Sequence, residues 1–247
     1  MKTGLVVDLG LIEYGAAWEL QRRLVAARKA GTAPDLLLLC EHPHVITLGR
    51  NGKLHNLRAS DAVLRQMGVS FFDTDRGGDI TYHGPGQLVG YPILNLAEIR
   101  RDVGWYMRGL EEAMIRATAE FGVTSRRVAG RTGVWVDSSE KSTGEEKLAA
   151  IGVHLSRWVT SHGFAYNVST DLRYFDLIVP CGIADKRATS LEKLLDRSVK
   201  MEEVSSRIVA NLGELLSLNW QPAHRDDLET MLQAIEARAE LTAVQAL

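Results

Sequence analysis

"RGGDITYHGPGQLVGYPI", Arg76 to Ile93, packs four glycines, a proline and a histidine into its first twelve residues. Backbone this permissive suits a phosphate cradle, a tight turn, or a place where a substrate lies against the main chain. A phosphate cradle would need a GxxxxGK[ST] or GxGxxG pattern that opens a helix. Here the run continues as "QLVGYPI", Gln87 to Ile93, whose apolar and β-branched residues read as a strand. The nucleotide-binding α/β folds built on such loops are therefore excluded by context. Two readings stay open at this point: a structural turn carrying Arg76 and His83 on its surface, or a wall against which a substrate is held.

Outward from this stretch the chain alternates strand-like and helical patterns. Strand-like runs lie at Leu5–Asp8, Leu36–Cys40, Val45–Leu48, Val69–Asp73 and Leu88–Leu94. Others follow at Val123–Arg127, Gly133–Val136, Ala149–Leu155, Val159–Val168 and Leu177–Val179. Helices are expected over Tyr14–Lys29, over Ala59–Met67 and between Asp102 and Phe121. In the last of these, Val103, Met107, Leu110, Met114, Ala117 and Phe121 form one stripe, ended by Gly122. Further helices are expected around Val204–Leu215 and Asp226–Ala239. Several strands follow one another without an intervening helix. The expected fold is α/β (α+β), a mixed sheet flanked by helices in a single domain over residues 1–247. "DSSEKSTGEE", Asp137 to Glu146, reads as a hairpin loop joining neighbouring strands.

Composition narrows the function classes. Net charge is −2 over 247 residues with no long basic run, which disfavours nucleic acid as a partner. No window approaches a membrane span and the N-terminus lacks a signal pattern, so a cytoplasmic protein is expected. The two cysteines, Cys40 and Cys181, make no disulfide framework, and no Cys/His cluster suggests a metal.

Cys40 closes the apolar run "LLLLC" and reads as a buried small hydrophobe. Cys181, in "IVPCGIADKR", follows a strand-like run and a proline, a position where functional side chains concentrate. A free thiol near pH 7 is mostly protonated, so a nucleophilic cysteine needs a nearby base or cation. Lys147, His83, His154, His162, Lys186 and Arg187 are available. Lys147 stands where the polar loop gives way to "LAAIGVHLSRWV"; it either snorkels to solvent or turns inward as a base. The small residues of "AAIG", Ala149 to Gly152, leave room beside a sheet, as a narrow apolar ligand requires.

These segments together resemble the octanoyltransferases of lipoate biosynthesis, the lipoyl(octanoyl) transferases. The resemblance rests on "EHPHVITLGR" (Glu41–Arg50), "RGGDITYHGPGQLVGYPI", "KLAAIGVHLSRWVTSHGFAYNV" (Lys147–Val168), "VPCGI" (Val179–Ile183) and "TSL" (Thr189–Leu191). It covers about residues 36–191, leaving the C-terminal helices, about 200–245, outside. The long acidic loop before Lys147, and Leu148 and His154, depart mildly from the pattern. The resemblance implies the fold of the biotin and lipoate protein ligase catalytic domains. It implies Cys181 as acyl-thioester nucleophile and Lys147 as its activating partner. The substrate site it implies is lined by Arg76, Gly77, Gly78, Asp79, Ile80, Thr81, Tyr82 and His83, by Ala150, Ile151 and Gly152, and by Gly163, Phe164 and Ala165.

The reaction so implied moves an octanoyl group from octanoyl-acyl carrier protein to a lysine of a lipoyl domain. The acceptors are lipoyl domains of 2-oxoacid dehydrogenases and the glycine cleavage H protein. It needs no cofactor, metal, nucleic acid or membrane, and a monomer is expected. Exchange between thioesters is nearly balanced, so positioning and oxyanion stabilisation carry the catalysis; main-chain N–H groups after Pro180 or near Gly77, Gly78 and His83 are candidate donors. Three rivals remain: an ATP-dependent lipoate or biotin ligase on the same fold, a non-catalytic lipoyl-domain binding protein, and a cysteine hydrolase.

Overall fold

The computed structural model describes residues 1–138, 144–179 and 187–245. Cys181 and the middle of the Asp137–Glu146 loop lie outside the described residues.

The longest fully buried strands define the centre of the molecule. Strand β1 (Lys2–Leu11) precedes helix α1 (Tyr14–Lys29), β2 (Asp35–Glu41) and β3 (Val45–Leu48). Helix α2 (Asp61–Gln66), β4 (Ser70–Asp73), β5 (Ile80–His83) and β6 (Gln87–Ile93) follow. In β6 all seven residues are buried and in β2 all but the last, so both are covered on two faces. A short α3 (Leu96–Ile99) and the long α4 (Val103–Ala119) lead to β7 (Arg126–Val128), β8 (Arg131–Asp137), β9 (Glu145–Ser156) and β10 (Val159–Asn167). The chain ends with β11 (Arg187–Ala188), α5 (Leu191–Leu195), α6 (Met201–Leu216), β12 (Leu218–Ala223) and α7 (Arg225–Gln245).

Among the described residues, β12-β1-β2-β6-β10-β9-β8-β7 run in that order across one mixed sheet, with β11 added beside β9. β1 pairs in parallel with β2 and β12, whereas the β2-β6-β10-β9-β8-β7 steps are antiparallel. This mixed α/β sheet flanked by helices agrees with the expected fold class. A smaller sheet, β4-β3-β5, packs beside it.

Two cores sandwich the large sheet. On one face α4 and α6 bury Leu110, Met114, Ile208 and Leu212 against Val134, Leu148 and Ala149. On the other, α1 and α7 bury Ala17, Leu20, Leu24, Leu228 and Leu232 against Leu36, Leu38, Val89 and Tyr91. The three- and four-residue spacing of these positions is what makes each helix a one-sided packing element. Asp102 caps α4 by accepting the Trp105 N–H at 2.8 Å.

Three expectations about elements need correction. Leu177–Val179 is not a strand: Leu172–Leu177 is a 3-10 helix, and Ile178 makes only an isolated bridge to Leu57. Asp171 opens that helix by accepting the Arg173 N–H, a local signal that a short apolar run hides. Strand β7 starts at Arg126 rather than Val123. Within the α4 stripe, Val103 is exposed at the first turn, and Tyr106 and Ala113 are buried instead.

Candidate active site

The loop that opened the sequence reading owes its glycines to a close contact with β9. The Gly77 N–H donates to the Val153 carbonyl at 2.9 Å, so this amide is already committed. A Cβ on Gly152 would lie 2.6 Å from the Gly77 carbonyl oxygen, so only glycine lets the loop press onto the strand. Arg76, nearly buried, reaches back to the small sheet, donating from Nε to Thr47 Oγ1 (3.0 Å) and from Nη2 to the Thr47 carbonyl (2.6 Å). Asp79 accepts from Asn56 Nδ2 at 2.6 Å. The loop is therefore a braced wall joining the two sheets.

Behind this wall lies a cavity of about 460 Å³, within the usual size of a small-ligand site. Arg76 to Thr81 and His83 line it, as do Lys147, Ala150, Ile151, Gly152, Gly163, Phe164 and Ala165. Tyr82, expected there, is not on the wall. It is fully buried behind β5, where its hydroxyl bonds His44 Nδ1 at 2.7 Å and its ring stacks on Tyr174. Alternation along β5 turns Tyr82 into the core of the smaller sheet while Thr81 and His83 face the other way; Ile80, at the start of the strand, belongs to that core and still borders the cavity.

Lys147 reaches the cavity because β9 is irregular. Val134 pairs with Ala149 and Trp135 with Lys147, so one residue of β9, Leu148, is extra. Leu148 and Ala149 are both fully buried in the α4 core. Without this bulge Lys147 would share the face of Ala149; with it, Lys147 shares the face of Ala150 and Gly152. Gly133, at φ 120°, sits against the Ala149 carbonyl where a side chain would collide. The Lys147 Nζ then lies 4.6 Å from the centroid of the Trp135 ring.

Part of the floor of the site was not announced by the sequence. Tyr14 from α1 and Tyr91 from β6 join the expected His83 of β5 there, and His42, which follows β2, packs behind them, with Tyr14 stacked on His83 at 6.0 Å and His42 edge-on to it. His42 donates from Nδ1 to the Ile12 carbonyl and accepts the Tyr91 hydroxyl at Nε2, both at 2.7 Å. Burial, followed by the neighbouring His42 and Arg76 charges, pushes His83 down to about 3. Burial also pushes His42 down to about 4 and Tyr14 up to about 12. These groups are uncharged at neutral pH, which keeps the floor suited to an apolar guest. Cys40, buried near His42, has its thiol pushed well up by burial and is no nucleophile.

His162, buried, also lines the cavity, and His154 lies near it. His162 Nε2 lies 2.7 Å from Asp75 Oδ1, a bond that pulls the Asp75 carboxyl down to about 2, and His154 is 3.8 Å from the same carboxylate. Among the described residues no group of His, Cys, Asp or Glu is placed to hold a metal ion, and no helix is long and apolar enough to cross a membrane.

Residues 13–213 match the family model "Lipoyl protein ligase A/B catalytic domain". The octanoyltransferase of Solibacter usitatus is 54% identical over 222 residues, covering 90% of this chain and 97% of that protein. The octanoyltransferase of Koribacter versatilis is 48% identical over 96% of this chain and 94% of its own length. Among solved structures, an archaeal bi-partite lipoate protein ligase from Thermoplasma acidophilum, studied with its E2 lipoyl domain, superposes with a TM-score of 0.73. It covers 95% of this chain and 92% of its own, at 15% identity, a likeness of fold.

Proposed function

The chain belongs to the lipoyl protein ligase A/B catalytic domain family and, like the octanoyltransferases it resembles, is an acyltransferase that moves an octanoyl group; from that premise we propose how its residues do so. Octanoyl-acyl carrier protein is the donor and a lysine of a lipoyl domain is the acceptor. The site operates as one catalytic domain over residues 1–247, in a cytoplasmic monomer. The observation that carries the reading is Lys147, turned by the β9 bulge onto the wall of a cavity with an uncharged floor.

In the first half-reaction the Cys181 sulfur bonds the thioester carbonyl carbon, and the carrier's thiolate leaves and takes up a proton. The eight-carbon chain then lies in the cavity, where each buried methylene contributes roughly 0.8 kcal/mol. In the second half-reaction the acceptor amine bonds the same carbon, the carbon–sulfur bond breaks, and the nitrogen's proton ends on the departing Cys181 thiolate. Lys147 supports both steps, holding Cys181 as thiolate and relaying the acceptor nitrogen's proton to the departing sulfur. Substrate contact falls to Gly78, Asp79, Ile80, Thr81 and His83 on one wall, and to Ala150, Ile151, Gly163, Phe164 and Ala165 on the other, with Arg76, Gly77 and Gly152 holding the walls together. Because Gly77 N–H is bonded to Val153, the oxyanion donors are other groups of the wall.

The test is transfer from octanoyl-carrier protein to a lipoyl domain with ATP omitted. An octanoyl amide on the acceptor lysine is expected. A strict ATP requirement with free octanoate would replace this reading with a ligase, and release of free octanoate alone would replace it with a hydrolase.

A further inference from the structure

His83 is one end of a buried chain of hydrogen bonds that no part of the reaction described above uses. Its Nδ1 lies 2.8 Å from Gln87 Oε1. Gln87 Nε2 donates both to the Tyr82 carbonyl (3.2 Å) and to Asn167 Oδ1 (2.9 Å). Asn167 Nδ2 in turn donates to the Thr189 carbonyl at 2.9 Å, and the Thr189 N–H donates to the Lys147 carbonyl at 2.9 Å. His83, Gln87, Asn167 and Thr189 are all at least nine-tenths buried.

The directions in this chain are forced. A backbone carbonyl only accepts, so the Asn167 group facing Thr189 must be its NH₂ and its oxygen must face Gln87. That oxygen and the Tyr82 carbonyl both need donors, so the Gln87 NH₂ faces them and its oxygen faces His83. An amide oxygen also only accepts, so His83 carries its hydrogen on Nδ1. The ring is neutral, held so by burial, and therefore Nε2 bears a lone pair. Because His83 lines the cavity while Nδ1 is tied back into the protein, Nε2 is the ring nitrogen turned toward the guest. Tyr14 stacked on the ring and His42 at its edge hold that plane, and Arg76 approaches from the wall.

We propose that Gln87 and Asn167 are positioning residues: two amides of fixed orientation hold His83 as the Nδ1–H tautomer, so that its Nε2 accepts a hydrogen from the amine that enters to take the acyl group. The inference rests on the amine-acceptor reading given above. An incoming lysine amine must be neutral and aimed to attack, and it carries two N–H hydrogens. An acceptor fixed in the wall aims one of them without becoming charged, while the proton lost in the reaction still goes to the departing sulfur. The same relay ends on the backbone of Lys147, so the two groups are held in one frame.

Nitrogen NMR of the imidazole reads the tautomer in the wild-type protein, with no substrate and no substitution. The expected result is His83 with hydrogen on Nδ1 and a bare Nε2; hydrogen on Nε2 overturns the proposal. Kinetics of the two half-reactions then test the consequence, with enzyme acylation followed by intact mass and transfer from the isolated acyl-enzyme followed on a lipoyl domain. Gln87→Met is expected to mix the two tautomers and to slow transfer to the amine at least about 10-fold more than it slows acylation, the scale on which outer-shell partners act. Equal slowing of both half-reactions, or a changed tautomer with no deficit in transfer, overturns the proposal. Failure of the wild type to form any acyl-enzyme would instead strike the reading on which the inference rests, and the tautomer measurement would stand apart from it.

Discussion

The two faces of strand β9 differ sharply in what they do. Toward α4 it presents Leu148 and Ala149, fully buried with Val134, Leu110 and Met114 in a dry core. Toward the cavity it presents Lys147, Ala150 and Gly152, with Trp135 beside the lysine and the Arg76–Asp79 loop closing over the strand. One extra residue separates the two arrangements. In a regular strand, Lys147 would have to enter the α4 core, where an unpaired ammonium is too costly to bury. The bulge thus places chemistry next to packing with almost no space between them.

The sharpest way to break this comparison is to truncate one residue on each face. Lys147→Ala should leave unfolding almost unchanged and slow octanoyl transfer by about 10²-fold or more, the usual scale for removing a proton-handling group. Leu148→Ala should do the reverse, lowering stability by about 2–5 kcal/mol in chemical denaturation while the folded fraction retains its turnover. If both substitutions lowered activity equally and neither changed stability, the two faces would not be distinct.

Acid sharpens the comparison next, because the titratable histidines of the floor lie only on the cavity side. His42 and His83 are held at about 4 and about 3 in the folded protein, against about 6.5 in an unfolded chain. Between those values the unfolded chain binds more protons, so stability falls as pH drops from about 6.5 toward 4. Each histidine contributes a slope of at most about 1.4 kcal/mol per pH unit. Denaturation at pH 6.5, 5.5 and 4.5 should show this slope, and His42→Gln should remove about one proton's share of it. The bond from Asp75 to His162 is lost at still lower pH, as the medium falls through about 2.

A smaller effect is expected at Trp135. An ammonium 4.6 Å from the ring centroid gains about 0.5–2 kcal/mol from it, so Trp135→Leu should slow transfer by roughly 2- to 30-fold. Trp135→Tyr keeps an aromatic face and should recover most of the loss. No difference between the two variants would mean that the ring only fills space.

Much of the architecture was legible in the chain because its periodicities are strong: β2, β6, β10, α1 and the buried stripe of α4 were all visible as patterns. Leu177–Val179 misled, since three apolar residues in a row do not separate a strand from the end of a helical turn. The site divides the same way. The glycine loop and the "AAIG" run were readable as permissive backbone, and both line the cavity, although Gly152 admits a carbonyl of the protein. Tyr14, His42 and Tyr91 come from three separate elements, and no local spacing announces that they meet. The aim of Lys147 was also hidden, because a bulge depends on pairing with β8 and leaves no period in the sequence.

The central proposal is that an acyl chain is carried as a thioester on Cys181 with the help of Lys147. Intact mass after incubation with octanoyl-carrier protein tests it most directly. The wild type should gain one octanoyl group, and Cys181→Ala, correctly folded, should gain none. An octanoyl adduct that persists on Cys181→Ala would contradict the account.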